Sequence, residues 1–332
     1  RRDSFSTTGP VKTIHHESSE ALMPPTPSVS VVIPAYNCAT TIRQTIASCL
    51  AQTLQDMEII VVDDGSTDGT AAVLAEFGDS VRVIRQDNRG LAAARNAGLS
   101  QARGDFLAWL DADDLAEPRR MEIQSRILAR HPELVLLHTE FTAFGALITD
   151  PVAPYSPVYY PVLRAAAPAH PFYPGSLPPD EGPATEIPTV LSGNVTAGLI
   201  SGNFVHPPTI MMRRSTFEAI GPLDESLSSG CDYDFILRAS LHGAFGYISL
   251  PLLRYRISPA QMSGRFPAGE TMLENARILA KLRTIDPDYY DRNRRTIRRR
   301  ISMSLLDAAQ QIGETKRGPA LALWCRSVTD AD

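Results

Sequence analysis

The chain has 332 residues, 43% of them hydrophobic and 21% charged, a globular composition that excludes wholesale disorder and fibrous repeats. At about 150 residues per domain, this length fits one large α/β domain with additions or two modest domains. With 32 basic against 37 acidic residues, net −5, binding to nucleic acid through the general surface is excluded.

Residues 1–28 are rich in Ser, Thr, Pro and His, have little apolar periodicity and read as a disordered tail. Order is expected to begin at Val29-Ser30-Val31-Val32-Ile33, a β-branched strand. A helix follows with Ile42, Ile46, Cys49 and Leu50 on one face, and then a second strand, Glu58-Ile59-Ile60-Val61-Val62. The alternation continues with a helix near 69–77, strand 81–85, helix 90–101, strand 105–110, helix 117–130 and strand 134–138. Strands that are apolar throughout and alternate with helices predict a mostly parallel central sheet covered by helices on both faces.

The second half is less regular. Of the chain's 26 prolines, 11 fall in residues 151–188, a segment too long for an ordinary connection. It carries Tyr155, Tyr159, Tyr160, Phe172 and Tyr173. A strand is predicted at 209–212 and a helix from Asp232 to Leu241. Residues 267–328 are expected to be mostly helical, with six arginines between Arg292 and Arg300. Ile297, Ile301, Leu305 and Ala308 form one stripe of that helix, so it is either packed on the domain or is a basic amphipathic surface helix that touches an anionic membrane.

Ligands of parallel sheets bind beyond the carboxyl ends of the strands. Pro34-Ala35-Tyr36-Asn37 follows the first strand, Asp63-Asp64 the second, and Asp111-Ala112-Asp113-Asp114 the strand of Trp109. Two acidic groups therefore meet on one edge and repel each other unless a cation or a donor-rich ligand lies between them. Alternating carboxylates on a rigid strand end suit Mg²⁺ or Mn²⁺ shared with substrate phosphates; capping of the following helix would need only one of them. Neither GxGxxG nor GxxxxGK[ST] is present, which disfavours NAD binding and P-loop ATP hydrolysis. The four cysteines (Cys38, Cys49, Cys231, Cys325) form no CxxC pair and fit a reducing compartment. No apolar run approaches the ~20 residues that span a bilayer, and no signal peptide is visible, so the expected location is cytoplasmic, including the inner face of the membrane.

Four segments in order resemble the successive motifs of family 2 glycosyltransferases: Ser30 to Asn37, Glu58 to Thr70, Asn88-Arg89-Gly90-Leu91-Ala92-Ala93-Ala94-Arg95-Asn96-Ala97-Gly98, and Leu110 to Asp114. The resemblance is strong over 29–145 and looser over 203–258. It implies a GT-A fold, a nucleoside-diphosphate sugar (a UDP-sugar first among donors), a divalent cation, inversion at the anomeric carbon, and a glycan or lipid-linked acceptor. By the resemblance, Pro34 and Tyr36 contact the nucleotide, Asp64 with Asp63 reads the base, and Arg95 lies near the diphosphate. Asp111 and Asp113 are the outer members of a DxD motif, with Asp113 the metal ligand. Asp232, in Cys231-Asp232-Tyr233-Asp234, falls where the family places its catalytic base.

Two departures stand out. Cys231 occupies a position where many members carry Glu, and Tyr255-Arg256-Ile257-Ser258-Pro259 lacks the histidine that many members show there. The expected organisation is a GT-A catalytic domain over 29–260, with a donor half 29–145, a Pro-rich insertion 151–188 and an acceptor half 190–260, followed by a helical C-terminal region 261–332. The insertion reads as a semi-rigid flap facing the acceptor, or as a poorly ordered loop. The alternative function is a nucleotide-sugar-binding module with impaired catalysis. A nucleotidyltransferase is disfavoured because no glycine-rich basic loop follows the first strand.

Overall fold

The computed structural model describes residues 28–164, 172–178, 189–259 and 268–313, together with Ala322. The tail at 1–27, two stretches of the insertion (165–171 and 179–188) and Cys325 lie outside the described residues.

In chain order the first half runs β1 (Val29–Ala35), α1 (Ile42–Leu50), β2 (Met57–Asp64), α2 (Thr70–Ala75), β3 (Arg82–Gln86), α3 (Leu91–Gln101), β4 (Phe106–Trp109), β5 (Leu115–Ala116), α4 (Arg120–Arg130) and β6 (Leu134–Phe144). The second half continues with α5 (Ser156–Tyr159), α6 (Pro161–Arg164), β7 (Gly175–Ser176), β8 (Val190–Gly193), α7 (Thr196–Ser201), β9 (Met211–Arg213), α8 (Arg214–Ile220), α9 (Cys231–Ser240) and β10 (Ala244–Arg256). Two long helices close it, α10 (Ala268–Ile285) and α11 (Pro287–Gly313).

All the strands join one sheet, in the order β3-β2-β1-β4-β9-β6-β10-β8-β7, with β5 paired to β10. Strands β3, β2, β1 and β4 run parallel, as do β6 and β10. Strand β9 is inserted antiparallel between β4 and β6. The expected α/β architecture and helical C-terminal region are thus present. Strand β9 overlaps the strand expected at 209–212, whereas the antiparallel β5, β7 and β8, of two to four residues, leave too little periodicity to read.

The core explains the regular half. Every residue of β1 is buried, and so are Ile59 to Asp64 of β2, because helices cover both faces of these central strands. Helix α3 approaches closely through Gly98, where a Cβ would lie 2.4 Å from a methyl of Val32 and 3.1 Å from one of Val62.

The described parts of the Pro-rich insertion are packed down. Val152 and Ala143 exchange backbone hydrogen bonds of 2.9 and 3.1 Å. Tyr160 and Tyr173 are buried, and Tyr155, Tyr159 and Phe172 are partly buried against the core. Phe172 stacks on Phe204 with centroids 4.6 Å apart, and Tyr173 reaches His138 Nε2 at 2.5 Å. These five rings serve the core, so an open aromatic flap is not built from them.

The C-terminal stripe is likewise used internally. Ile297, Ile301, Leu305 and Ala308 are all buried, with α11 packed on α10 and touching α7. Of the six arginines, Arg292, Arg294, Arg295 and Arg299 remain exposed, so any membrane contact of this helix has to be made by its basic face. No helix among the described residues is long and apolar enough to cross a membrane.

Candidate active site

The loop after β1 is tied to the loop after β2. Asn37, held at φ 49, accepts through Oδ1 from the Thr67 N–H (2.8 Å) and donates its own N–H to Ser66 Oγ (3.0 Å). Such short polar side chains tolerate left-handed backbone. The result leaves Pro34 buried and Tyr36 about half exposed (48%) at the mouth of the sheet edge.

Asp63 and Asp64 are both buried but are engaged differently. Asp63 accepts from the Ser66 N–H at 3.0 Å through Oδ1, and its Oδ2 lies 3.2 Å from Arg85 Nε without a hydrogen bond. Asp64 accepts from Gln86 Nε2 (2.7 Å), the Arg89 N–H (2.9 Å) and the Gly90 N–H (2.8 Å). Gly90, at φ 89, turns the chain into α3, so the Asp64 carboxylate sits where the dipole of that helix favours negative charge. Asp64 therefore fixes the start of α3, whatever else it touches.

Beyond β4 the chain alternates: Asp111 and Asp113 are partly exposed, while Ala112 and Asp114 are buried. Asp114 Oδ1 accepts the Arg256 N–H at 2.9 Å, and Arg256 Nε donates to the Asp113 carbonyl at 2.7 Å. Where many family members show a histidine just beyond this point, the group meeting the acidic turn here is Arg256. The sequence signal for it is the Tyr-Arg pair ending a long strand.

Burial and the neighbouring Asp111 push the Asp113 carboxyl up to about 6. Its carboxylate accepts no hydrogen bond from another residue among the described residues. Two hard-oxygen side chains on one turn, the Asp113 carboxylate without a hydrogen-bond donor from another described residue, fit a Mg²⁺ or Mn²⁺ ion that takes its remaining ligands from phosphate and water. Among the described residues, no three ligand-type side chains form an all-protein cage.

Arg95 is the meeting point. It is fully buried, with its guanidinium 4.5 Å from the centre of the Trp109 ring. One nitrogen donates to Asp111 Oδ1 at 2.8 Å and the other to Asp232 Oδ1. The sequence reading puts Arg95 near a diphosphate; the structure places it beneath the acidic edge, with both terminal nitrogens on carboxylates.

Asp232 lies in the first turn of α9, its side chain 19% exposed. Burial raises its carboxyl above the ordinary range, Arg95 opposes that rise, and Asp111 adds to it. The structure thus brings Asp111 and Asp232 to one guanidinium, with Asp113 two residues along the same turn. Tyr36, Asp63 and Asp64 stand at the ends of the adjoining strands.

Sequence reasoning missed the residues that hold the segment before Asp232. Glu274 of α10 accepts from the N–H and Oγ of both Ser228 and Ser229, at 2.6–2.8 Å, and from the Gly230 N–H at 2.8 Å. Lys281 bridges Asp224 (2.5 Å) and Asp234 (2.8 Å). No local signal in the sequence marks these partners, which lie 44–57 positions apart.

His206 is buried and stacked on Phe141, with its Nδ1 3.0 Å from the Tyr160 hydroxyl. Burial pushes the imidazole down to about 3, so it is neutral, in keeping with a structural loop role.

The model of the family described as "Glycosyl transferase family 2" matches residues 30–145. An uncharacterized glycosyltransferase of Rickettsia prowazekii is 28% identical over 235 residues, covering 71% of this chain and 65% of the relative; the chain thus spans somewhat under two thirds of that relative's length.

Among solved structures, S. aureus TarS 1-349 in complex with UDP-GlcNAc superposes with a TM-score of 0.61 at 18% identity, covering 92% of this chain and 80% of that one. The mannosyltransferase PcManGT from Pyrobaculum calidifontis, in complex with GDP-Man and Mn²⁺, gives 0.51 at 17%, with the same coverage. These likenesses establish the GT-A-like fold. Residues 30–145 are thus similar to glycosyl transferase family 2.

Proposed function

We propose that the protein is an inverting glycosyltransferase that moves a sugar from a nucleoside-diphosphate sugar to an acceptor hydroxyl, assisted by Mg²⁺ or Mn²⁺. The observation that carries this reading is the convergence of Asp111, beyond the end of β4, and Asp232, at the start of α9, on the buried Arg95. A donor-side acid and a carboxylate with raised proton affinity then face one reaction centre from the two halves of the chain.

In this reading residues 29–145 hold the donor and 190–260 hold the acceptor. Tyr36 and Pro34 border the nucleotide, Asp63 and Asp64 form the acidic edge toward its base, and Asp111 and Asp113 hold the cation with the diphosphate. The cation supplies stabilisation of the negative charge that grows on the leaving diphosphate. Asp232 removes the acceptor hydroxyl's proton as that oxygen attacks the anomeric carbon from the face opposite the nucleotide. The named complexes of TarS and PcManGT support the donor class, with a UDP-sugar placed first, and the Mn²⁺ of the latter supports the cation.

Calorimetry against a nucleotide panel with and without Mn²⁺, followed by a transfer assay, tests the reading. Donor binding is expected to strengthen with Mn²⁺. Asp232→Asn is expected to keep donor binding while losing about 10²–10⁴-fold in turnover, the usual contribution of a general base. Unimpaired turnover in Asp232→Asn overturns its role, and cation-independent donor binding overturns that of Asp113.

Acceptors presented at an anionic membrane surface fit the exposed Arg292, Arg295 and Arg299, which share one face of α11. Co-sedimentation with anionic vesicles that fades with salt is expected; no binding at low salt removes this part of the reading.

A further inference from the structure

Helix α3 touches both halves of the site. On the donor side, Asp64 holds its first turn through the Arg89 and Gly90 N–H groups, and Arg95 holds Asp111. On the acceptor side, Arg89 pairs with Glu225 at 2.7 Å. Asn96 Nδ2 donates to the Leu223 carbonyl at 3.0 Å and its Oδ1 accepts the Leu223 N–H at 2.9 Å. Arg95 then reaches Asp232. Three side chains of the Asn88–Gly98 segment therefore grip residues 223–232, the stretch that carries the base.

The contacts of Asp232 are one-sided. Arg95 and the Cys231 thiol both meet Oδ1, and Oδ2 has no hydrogen-bond partner among the described residues. Arg95 has no surface exposure and lies against the Trp109 ring, itself packed on Phe235 of α9 at 5.2 Å. A guanidinium fixed in this way cannot swing out to a ligand. Its planar fork spans two carboxylates on different elements, which the point charge of a lysine does not reproduce.

We propose that Arg95 is a positioning residue: it fixes Asp232 through Oδ1, leaves Oδ2 to face the acceptor hydroxyl, and ties that aim to Asp111 on the donor side. This rests on Asp232 being the base. Arg95 itself touches no substrate and acts through the carboxylate it holds. The groups facing Asp232 are Arg95 from α3, Asp111 beyond β4 and Cys231 on its own helix, with the Tyr160 hydroxyl near enough to feel the Asp232 charge.

The test uses the full chain in two variants. In Arg95→Lys, kcat is expected to fall by about 10²-fold or more, as for a misaimed base, with the donor KM changed less than about threefold. Unchanged kcat overturns the proposal, as does a parallel loss of donor affinity and kcat, since that outcome marks a purely structural part.

In Arg95→Gln, carboxyl ¹³C titration of Asp232 is expected to move to higher pH, because the group opposing burial and Asp111 is gone; an unmoved titration overturns the proposal. A wild-type protein inactive with every donor counts against the glycosyltransferase reading instead, and the carboxyl titration then still decides the role of Arg95.

Discussion

The two halves of the molecule are held together by different physics. From β1 to α4 the architecture is regular β/α alternation: central strands buried along their length, helices laid over them, and carboxylates at strand ends where the loops open. From 145 onward the chain is irregular, and its shape depends on buried polar anchors. Glu140, 2% exposed, accepts from the Phe141, Tyr155 and Ser156 N–H groups at 2.9–3.1 Å, from the Ser156 hydroxyl, and from the Tyr247 hydroxyl at 2.9 Å. Glu274 does the same for 228–230. Acids that collect several donors also occur in the first half, Asp64 at the start of α3 among them, but there they sit at strand ends, whereas Glu140 and Glu274 fix the course of the irregular segments themselves.

The largest expected effect follows from removing such an anchor. Glu140→Ala leaves five donors facing the space of a lost carboxylate, and each buried unsatisfied donor costs about 1–3 kcal/mol. A loss of at least about 3 kcal/mol is expected in urea or thermal unfolding, after allowing for partial relaxation and water entry. A loss below about 1 kcal/mol breaks the contrast, because the insertion would then be held by its aromatic rings alone.

The matching experiment in the first half adds a methyl group instead of removing an acceptor. In Gly98→Ala the new Cβ overlaps methyls of Val32 and Val62, both fully buried in adjacent central strands with little room to yield. Overpacking of this kind costs about 1–3 kcal/mol. If Gly98→Ala is neutral while Glu140→Ala is severe, α3 is looser on the sheet than its contacts indicate, and the aim of Arg95 should loosen with it.

The contrast also accounts for what could be read in advance. Val29–Ile33, Glu58–Val62 and Phe106–Leu110 announce themselves because burial on two faces demands an unbroken apolar run, and the residues beyond them fall at the ligand edge by topology alone. Asp63, Asp64, Asp111 and Asp113 were legible for that reason. Asp232 was placed by its resemblance to family motifs, and the structure brings it to Asp111 by way of Arg95.

What sequence could not supply was the set of partners. Arg95 and Asp232 are 137 positions apart, and nothing local in the Ala-Arg-Asn triplet says that its arginine turns inward to two carboxylates. Glu140 left a faint trace as an acid inside the apolar run of β6, a position where an unpaired charge is costly. Glu274, on an ordinary mixed helix, left none. Short antiparallel strands such as β5 and β7 escaped because two residues carry no period.

The smallest expected effect concerns pH and separates anchoring from packing at residues 228–230. Burial works against the charge on Glu274, but the hydrogen bonds from Ser228 and Ser229 outweigh it and hold the carboxyl down to about 2, against an ordinary value of 4.5. The unfolded chain therefore binds this proton more readily than the folded one. The stability supplied by the carboxylate is fully present above about pH 4.5 and is lost as pH falls toward 2. Glu274→Gln keeps a carbonyl acceptor of similar size but cannot take part in that titration. Its Tm should sit slightly below wild type at pH 7, and the gap should narrow steadily as the acid window is crossed. A gap that stays constant from pH 7 to pH 3 would mean that α10 holds residues 228–230 through the Gly230–Ile278 contact, where a Cβ on the glycine would lie 2.6 Å from the isoleucine methyl, and the two halves would then be built alike.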